Sequence, residues 1–126
     1  MSDPIVYISR WRIKEGRTGD FEAMVREATP RLEAAKPRTL GFMQFLDDDG
    51  RGLTIIHVFA DAEGFEAHLE GSGTRAQAAY ELIEPVGFEM YGTPTDASWD
   101  AFRDILQAGH PFLRQPRFLA GFLRLG

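Results

Sequence analysis

One stretch constrains this chain more than any other: Leu53-Thr-Ile-Ile-His-Val-Phe-Ala-Asp-Ala-Glu-Gly-Phe-Glu-Ala-His-Leu69. It opens as a short unbroken run of β-branched and aromatic residues, the pattern of a strand buried on both faces. At Asp61, a residue suited to capping a helix N-terminus, the spacing turns helical and continues to Leu69. A strand that feeds directly into a capped helix narrows the fold to one in which helices pack on a sheet.

The flanking sequence extends the pattern. Ile5 to Ile13 reads as a first strand ending at the turn Lys14-Glu-Gly-Arg17. From Asp20, read as an N-cap, Phe21, Met24, Val25, Ala28, Leu32 and Ala35 recur at helical spacing, with a break or kink expected near Thr29 because Pro30 follows. Thr39–Leu46 and Leu53–Ala60 flank Asp47-Asp-Asp-Gly-Arg-Gly52 and predict a hairpin. The three aspartates lack the spaced ligands of a calcium loop, so a solvated turn is the preferred reading. After Leu69 the helix breaks at Gly71-Ser-Gly73, restarts at Thr74 and runs through Leu82 and Ile83 to a stop at Pro85. Val86, Phe88 and Met90 then alternate in a fourth strand ending at Tyr91. The order strand, helix, strand, strand, helix, strand is that of a ferredoxin-like α+β protomer with an antiparallel sheet.

In such a fold helices cover one face of the sheet, yet the first and third strands are apolar at both parities. Something must cover the second face, and a second copy of the same sheet, in a homodimer, is the economical choice. We therefore divide the chain into a barrel domain, residues 1–94, and a C-terminal helix and arm, residues 95–126, packing on that domain or on its dimer partner. In the tail, Asp96 or Ser98 caps a short helix carrying Trp99, Phe102, Ile105 and Leu106. The segment from Pro111 onward is apolar and basic, without an acidic residue. An intramolecular or cross-dimer arm is preferred for it, then docking on another protein, with membrane association placed last.

Composition removes several classes of function. The chain has no cysteine, which excludes thiolate nucleophiles, Cys-ligated zinc and iron–sulfur clusters. A net charge of −5 argues against nucleic acid as a partner. No apolar run is long enough to span a bilayer, and the start of the chain carries no secretory pattern, so a cytoplasmic protein is expected. Ser2, Ser9, Ser72 and Ser98 sit in no nucleophile elbow, and Glu70-Gly-Ser-Gly-Thr74 lacks the lysine of a phosphate loop.

Ile13-Lys-Glu-Gly16 with Phe21, Leu40-Gly41-Phe42, and Phe59-Ala-Asp-Ala-Glu-Gly-Phe65 with Ala67-His68-Leu69 together resemble the dimeric α+β barrel superfamily and, within it, the antibiotic-biosynthesis-monooxygenase-like proteins. The resemblance covers about residues 5 to 93. It implies a pocket between sheet and helices, and no metal or flavin: a deprotonated phenol or hydroquinone reduces oxygen directly while the protein binds, orients and desolvates it. In monooxygenase members the third strand carries an Asn and, four residues later, a Trp. Aligned on Phe65, those positions here are Ile55 and Phe59, so both polar handles are absent. The resemblance also places a histidine where His68 stands.

Between Ile55 and Phe59, and on the same parity, sits His57, the candidate general base because an imidazole titrates near neutrality. A hydrogen-bonded histidine in a half-buried sheet explains it without chemistry. Tyr7 and Trp11 on the first strand, His68 on the second helix and Tyr91 at the end of the last strand complete the candidate substrate-binding set, against the alternative of core or interface packing. Arg10 and Arg12 face away from Trp11, either toward an anionic substrate or paired with carboxylates. A metal held by His57, His68 and Glu66 or Glu89 finds no supporting spacing. The expectation is a cofactor-independent monooxygenase-like protein for a small aromatic or enolic molecule; the alternative is a non-catalytic small-molecule-binding or structural homodimer.

Overall fold

A computed structural model describes residues 3–124; Met1, Ser2, Leu125 and Gly126, the last two being the end of the expected arm, lie outside the described residues, as does the side chain of Thr74. β1 (Ile5–Ile13) is followed by α1 (Thr18–Ala35), the hairpin β2 (Thr39–Leu46) and β3 (Gly52–Phe59), the helices α2 (Ala62–Leu69) and α3 (Ser72–Tyr80), and β4 (Ile83–Tyr91). Two short helices, α4 (Asp96–Asp100) and α5 (Arg103–Gln107), then lead to β5 (Phe112–Gln115). The sheet order is β2-β3-β1-β4-β5, with β1 antiparallel to both β3 and β4. The first four strands thus take the ferredoxin-like arrangement read from the sequence, and the fold is α+β.

Strand parity decides which side chains meet the helices. Along β1, Ile5, Tyr7, Ser9, Trp11 and Ile13 are buried while Arg10 and Arg12 are exposed. In register, Tyr7 lies beside His57 on β3 and Met90 on β4, so these three share the helix-covered face. Phe21 of α1 and Phe65 of α2 bury against that face, at 3% and 0% exposure, and close the core.

The opposite face is open in the single chain. Ile8, Ile56 and Met43 are cross-strand neighbours there, and Met43 and Phe45 are 45% and 55% exposed. Arg10 pairs with Glu89 on this face, and the Tyr91 hydroxyl donates to the same carboxylate. Arg12 lies opposite Glu84. Both arginines of β1 therefore lie on the face away from the helices.

Local signals were overridden in five places. α1 begins at Thr18 rather than at Asp20, whose carboxylate accepts from Arg17 Nε at 2.8 Å instead of capping. The helix runs unbroken through Pro30, because one missing N–H does not outweigh the packing of the apolar stripe on the sheet. Helix α3 starts at Ser72, after Gly71 in the left-handed region, rather than at Thr74, and it ends at Tyr80; Ile83, Glu84 and Pro85 belong to β4, not to the helix: Ile83 pairs with Ile13 and Pro85 lies beside Trp11. A register shift between Arg10 and Trp11 accommodates the proline. Thr95, rather than Asp96 or Ser98, caps α4 by accepting from Ser98 N at 3.2 Å. Finally, the tail is not purely helical: β5 adds to the free edge of β4 in parallel, which makes the sheet mixed. Arg114 stacks over Trp99 with its guanidinium carbon 4.2 Å from the ring centroid, and Phe112 stacks on Phe88, so side chains as well as the backbone ladder hold this edge.

Candidate functional site

Between the sheet and α1, α2 and α3 lies a cavity of about 700 Å³, within the range of small-molecule sites. Its floor is the odd-numbered face of β1 and β3, where Tyr7, Ser9, Trp11, Ile55 and His57 all reach it. Phe102 and Ile105 from α4–α5 complete one wall, so the chain beyond residue 94 helps to build the cavity.

His57 is 7% exposed and its Nδ1 stands 3.1 Å from the Tyr7 carbonyl oxygen. A carbonyl only accepts, so Nδ1 carries the proton and Nε2 is left as a lone-pair acceptor. Burial pushes the pKa of this imidazole down to about 4; the Tyr7 carbonyl opposes the shift and the Arg75 charge adds to it. Tyr7 lies against the His57 ring with centroids 4.9 Å apart, and burial raises its phenol pKa.

His68 faces the sheet because Phe65, His68 and Leu69 lie on one face of α2, itself started by Asp61 accepting from Gly64 N at 2.7 Å. Its Nδ1 is 2.7 Å from Thr39 Oγ1 and its ring sits 5.3 Å from His57 in an edge-on arrangement. Burial lowers its pKa to about 3, helped by the neighbouring His57, Arg75 and Lys36. Both imidazoles are consequently neutral around pH 7.

The residues read from the sequence separate into three groups. Tyr7, Trp11, Ile55, His57 and His68 line the cavity together. Phe59 is fully buried behind it, packed on Phe65 and His68 with ring centroids 5.0 and 5.3 Å away. Tyr91 is paired with Val6 and turned to the opposite face of the sheet. Glu89 lies on that far face as well, while Glu66 accepts from Thr95 Oγ1 at 2.6 Å. Among the described residues no group of three or more His, Asp or Glu side chains could hold a metal ion.

Among the polar residues of the cavity that sequence reasoning missed are Gln44, Lys36 and Arg75. Gln44 pairs with Ile55 across β2 and β3, and its Oε1 is the one buried side-chain nitrogen or oxygen without a hydrogen-bond partner among the described residues. A lone amide on the cavity parity of an otherwise apolar strand was the available signal. Lys36, just past α1, donates from Nζ to the carbonyls of Ala67 and Glu70 at 2.8 and 2.9 Å, and Arg75 of α3 donates to those of His68 and Glu70 at 2.7 and 3.2 Å. No local pattern marks these two, since their partners are main-chain groups at the end of α2.

No family model matches the chain, and no curated protein matches it either. Solved structures do. MupZ from Pseudomonas fluorescens superposes with a TM-score of 0.70 at 17% identity, over 95% of this chain and 96% of that one. SnoaB from Streptomyces nogalater, described as a cofactor-independent oxygenase, gives 0.59 at 20% identity over 75% and 96% of the two chains. HapK from Hahella chejuensis gives 0.59 at 17% over 73% and 93%. At these identities the likeness establishes the fold, and for MupZ it extends over most of the chain beyond residue 94.

Proposed function

We propose that this chain is a cofactor-independent monooxygenase-like enzyme for a small aromatic or enolic molecule, with His57 as its proton acceptor. The observation that carries the reading is the hydrogen bond from His57 Nδ1 to the Tyr7 carbonyl. It fixes the tautomer and leaves Nε2 as a bare acceptor on a histidine that lines an aromatic-walled cavity. The fold shared with SnoaB, a protein described as a cofactor-independent oxygenase, supports the same class of chemistry.

In this mechanism His57 Nε2 takes the phenolic proton. The phenolate then gives one electron to dioxygen, and the radical and superoxide combine to form a carbon–oxygen bond. The imidazolium protonates the resulting peroxide. Loss of the ring C–H proton to His57 and heterolysis of the O–O bond leave a quinone and hydroxide, which takes the proton from His57 as water. The balance is phenol plus dioxygen to quinone plus water. A neutral imidazole is a weak base in this cavity, yet the positive field that helps to hold it neutral also lowers the pKa of a bound phenol. Aromatic walls supply stacking and exclude water.

The working unit in this reading is a cytoplasmic homodimer whose second copy covers the open face of the sheet, with residues 95–126 serving as a wall and arm of the barrel domain. Among the described residues no helix is long and apolar enough to cross a membrane. One observation favours a second reading, a small-molecule-binding protein without turnover: the basicity of His57 is depressed to about 4. Oxygen uptake with a panel of naphthols and hydroquinones separates the two. His57→Gln, whose amide can still donate to the Tyr7 carbonyl, should lower kcat by roughly a hundredfold, the scale of a general base. Uptake unaffected by the substitution removes His57 from the mechanism, and binding without uptake in the wild type favours the second reading.

A further inference from the structure

The charge of the cavity is opposite to that of the molecule. The chain carries a net −5, but the cavity is lined by Arg31, Lys36 and Arg75 and, among the described residues, by no aspartate or glutamate. Arg31 is set aside because Glu27 pairs with it at 3.0 Å. Lys36 and Arg75 differ: their hydrogen bonds go to neutral carbonyls at the C-terminus of α2, and neither forms a salt bridge among the described residues. Capping alone does not balance them. A helix C-terminus supplies about half a negative charge, against two full positive ones.

Position adds a direction. Both cations gather where α2 gives way to α3, beside His68, whose ring stands 5.3 Å from that of His57. Arg75 is exposed and Lys36 half-buried while His57 is deeply buried, so the cations stand nearer the mouth and the imidazole at the floor. Their field reaches the floor as well, since Arg75 disfavours the charged form of both imidazoles.

We propose that the cavity takes an organic anion: a planar aromatic body on the floor near His57, Tyr7 and Gln44, with an acidic group, carboxylate or equivalent oxyanion, held at the mouth by Lys36 and Arg75. This rests on the reading of the cavity as a small-molecule site and deepens it by naming the ligand class. The four hydrogen bonds from Lys36 and Arg75 to the carbonyls of Ala67, His68 and Glu70 keep the cations in place before binding, so little ordering is needed when the anion arrives. The absence of an acidic side chain from the lining removes the competitor that would otherwise occupy them.

A matched pair of probes tests it by calorimetry on the full chain: 2-naphthoate, anionic, and 2-naphthylmethanol, neutral and nearly the same size. The wild type should bind naphthoate at least about tenfold more tightly, and the preference should shrink as salt rises from about 20 to about 300 mM. Lys36→Met with Arg75→Met should bring the two affinities together while leaving that for naphthylmethanol within about twofold of the wild type. Lys36→Arg with Arg75→Lys should keep the preference. Equal affinities in the wild type, a preference insensitive to salt, or one that survives loss of both cations overturns the proposal. If the double Met variant does not fold, the salt titration and Lys36→Met alone decide. Binding of neither probe overturns the proposal together with the small-molecule reading. A salt-sensitive naphthoate preference without oxygen uptake supports the proposal and sinks only the monooxygenase reaction.

Discussion

The buried imidazole pair makes the stability of this protein depend on pH in a way that can be worked out from the site. In the unfolded chain each histidine takes a proton at its ordinary pKa near 6.5, whereas in the folded chain His57 stays neutral down to about 4 and His68 down to about 3. Between those values the unfolded state binds more protons than the folded one, so stability is fully present above pH 6.5 and is lost as pH falls toward 4. Each group contributes a slope of about 1.4 kcal/mol per pH unit in that window, so from neutrality to pH 5 one imidazole costs about 2 kcal/mol and the pair about 4. Against a domain stability of about 5 to 15 kcal/mol, that is enough to bring the protein near unfolding in mild acid. The cause is local. The groups facing the pair are the Tyr7 carbonyl, Thr39, Arg75 and Lys36, and none offers a negative charge to an imidazolium.

Urea denaturation followed by tryptophan fluorescence, at several pH values from 8 to 5, measures the slope directly. His57→Gln, whose amide can still donate to the Tyr7 carbonyl, should remove about half of it, and adding His68→Gln should leave only the shallow contribution of the carboxylates. If the wild type and the double variant lose stability in parallel between pH 7 and 5, the imidazoles are not held neutral by the fold, and the assignment of His57 as a bare acceptor fails with them.

Gly92 closes β4 with φ +101°, and a Cβ there would stand 2.6 Å from the Pro4 carbonyl oxygen and 2.8 Å from Ile5 Cδ1. Gly92→Ala should therefore cost about 3 kcal/mol and lower the melting temperature by roughly 10 °C, and a fall of under about 2 °C in a thermal melt would show that the backbone yields there. On the open face, Ile56 lies between Ile8 and Met43, so Ile56→Lys should convert the proposed dimer to a monomer in native mass spectrometry while naphthylmethanol binding on the other face persists. A dimer that survives the lysine would place the interface elsewhere.

Where neighbours in the chain decide the structure, the sequence was readable. β1 and β2 fall at the residues expected, Ile5–Ile13 and Thr39–Leu46, and Asp61 caps α2 as its position before a helical run implies. Where distant partners decide, it was not. Leu82 and Ile83 continue the helical spacing of Ala79, yet Ile83 gains a ladder with Ile13 that no helix could offer, and the Pro85 that reads as a helix stop is absorbed beside the register shift. Phe112–Gln115 has no alternation to announce a strand. It becomes one because the edge of β4 is free and because Trp99 and Phe88 are placed to stack against Arg114 and Phe112.

The site divides along the same line. Parity alone put Ile55 and His57 on one face, and the pairing of Tyr7 with His57 then follows from the register. Nothing local says which nitrogen of His57 is free; that depends on the carbonyl of a residue 50 positions earlier. The cations at the mouth are more distant still from any local pattern, because Lys36 acts on carbonyls 31 and 34 residues away and looks in the sequence like an ordinary charge after a helix. A cavity with one orphaned amide oxygen, two neutral imidazoles and two cations without carboxylates has an electrostatic demand that its own residues do not meet. Core packing alone does not account for that demand, since the unpaired Gln44 oxygen and the two buried imidazoles would be cheaper replaced by apolar groups. An aromatic anion with a hydrogen-bond donor meets all three parts of it at once, and this is why the charge of the cavity, more than its shape, is taken as the guide to what it binds.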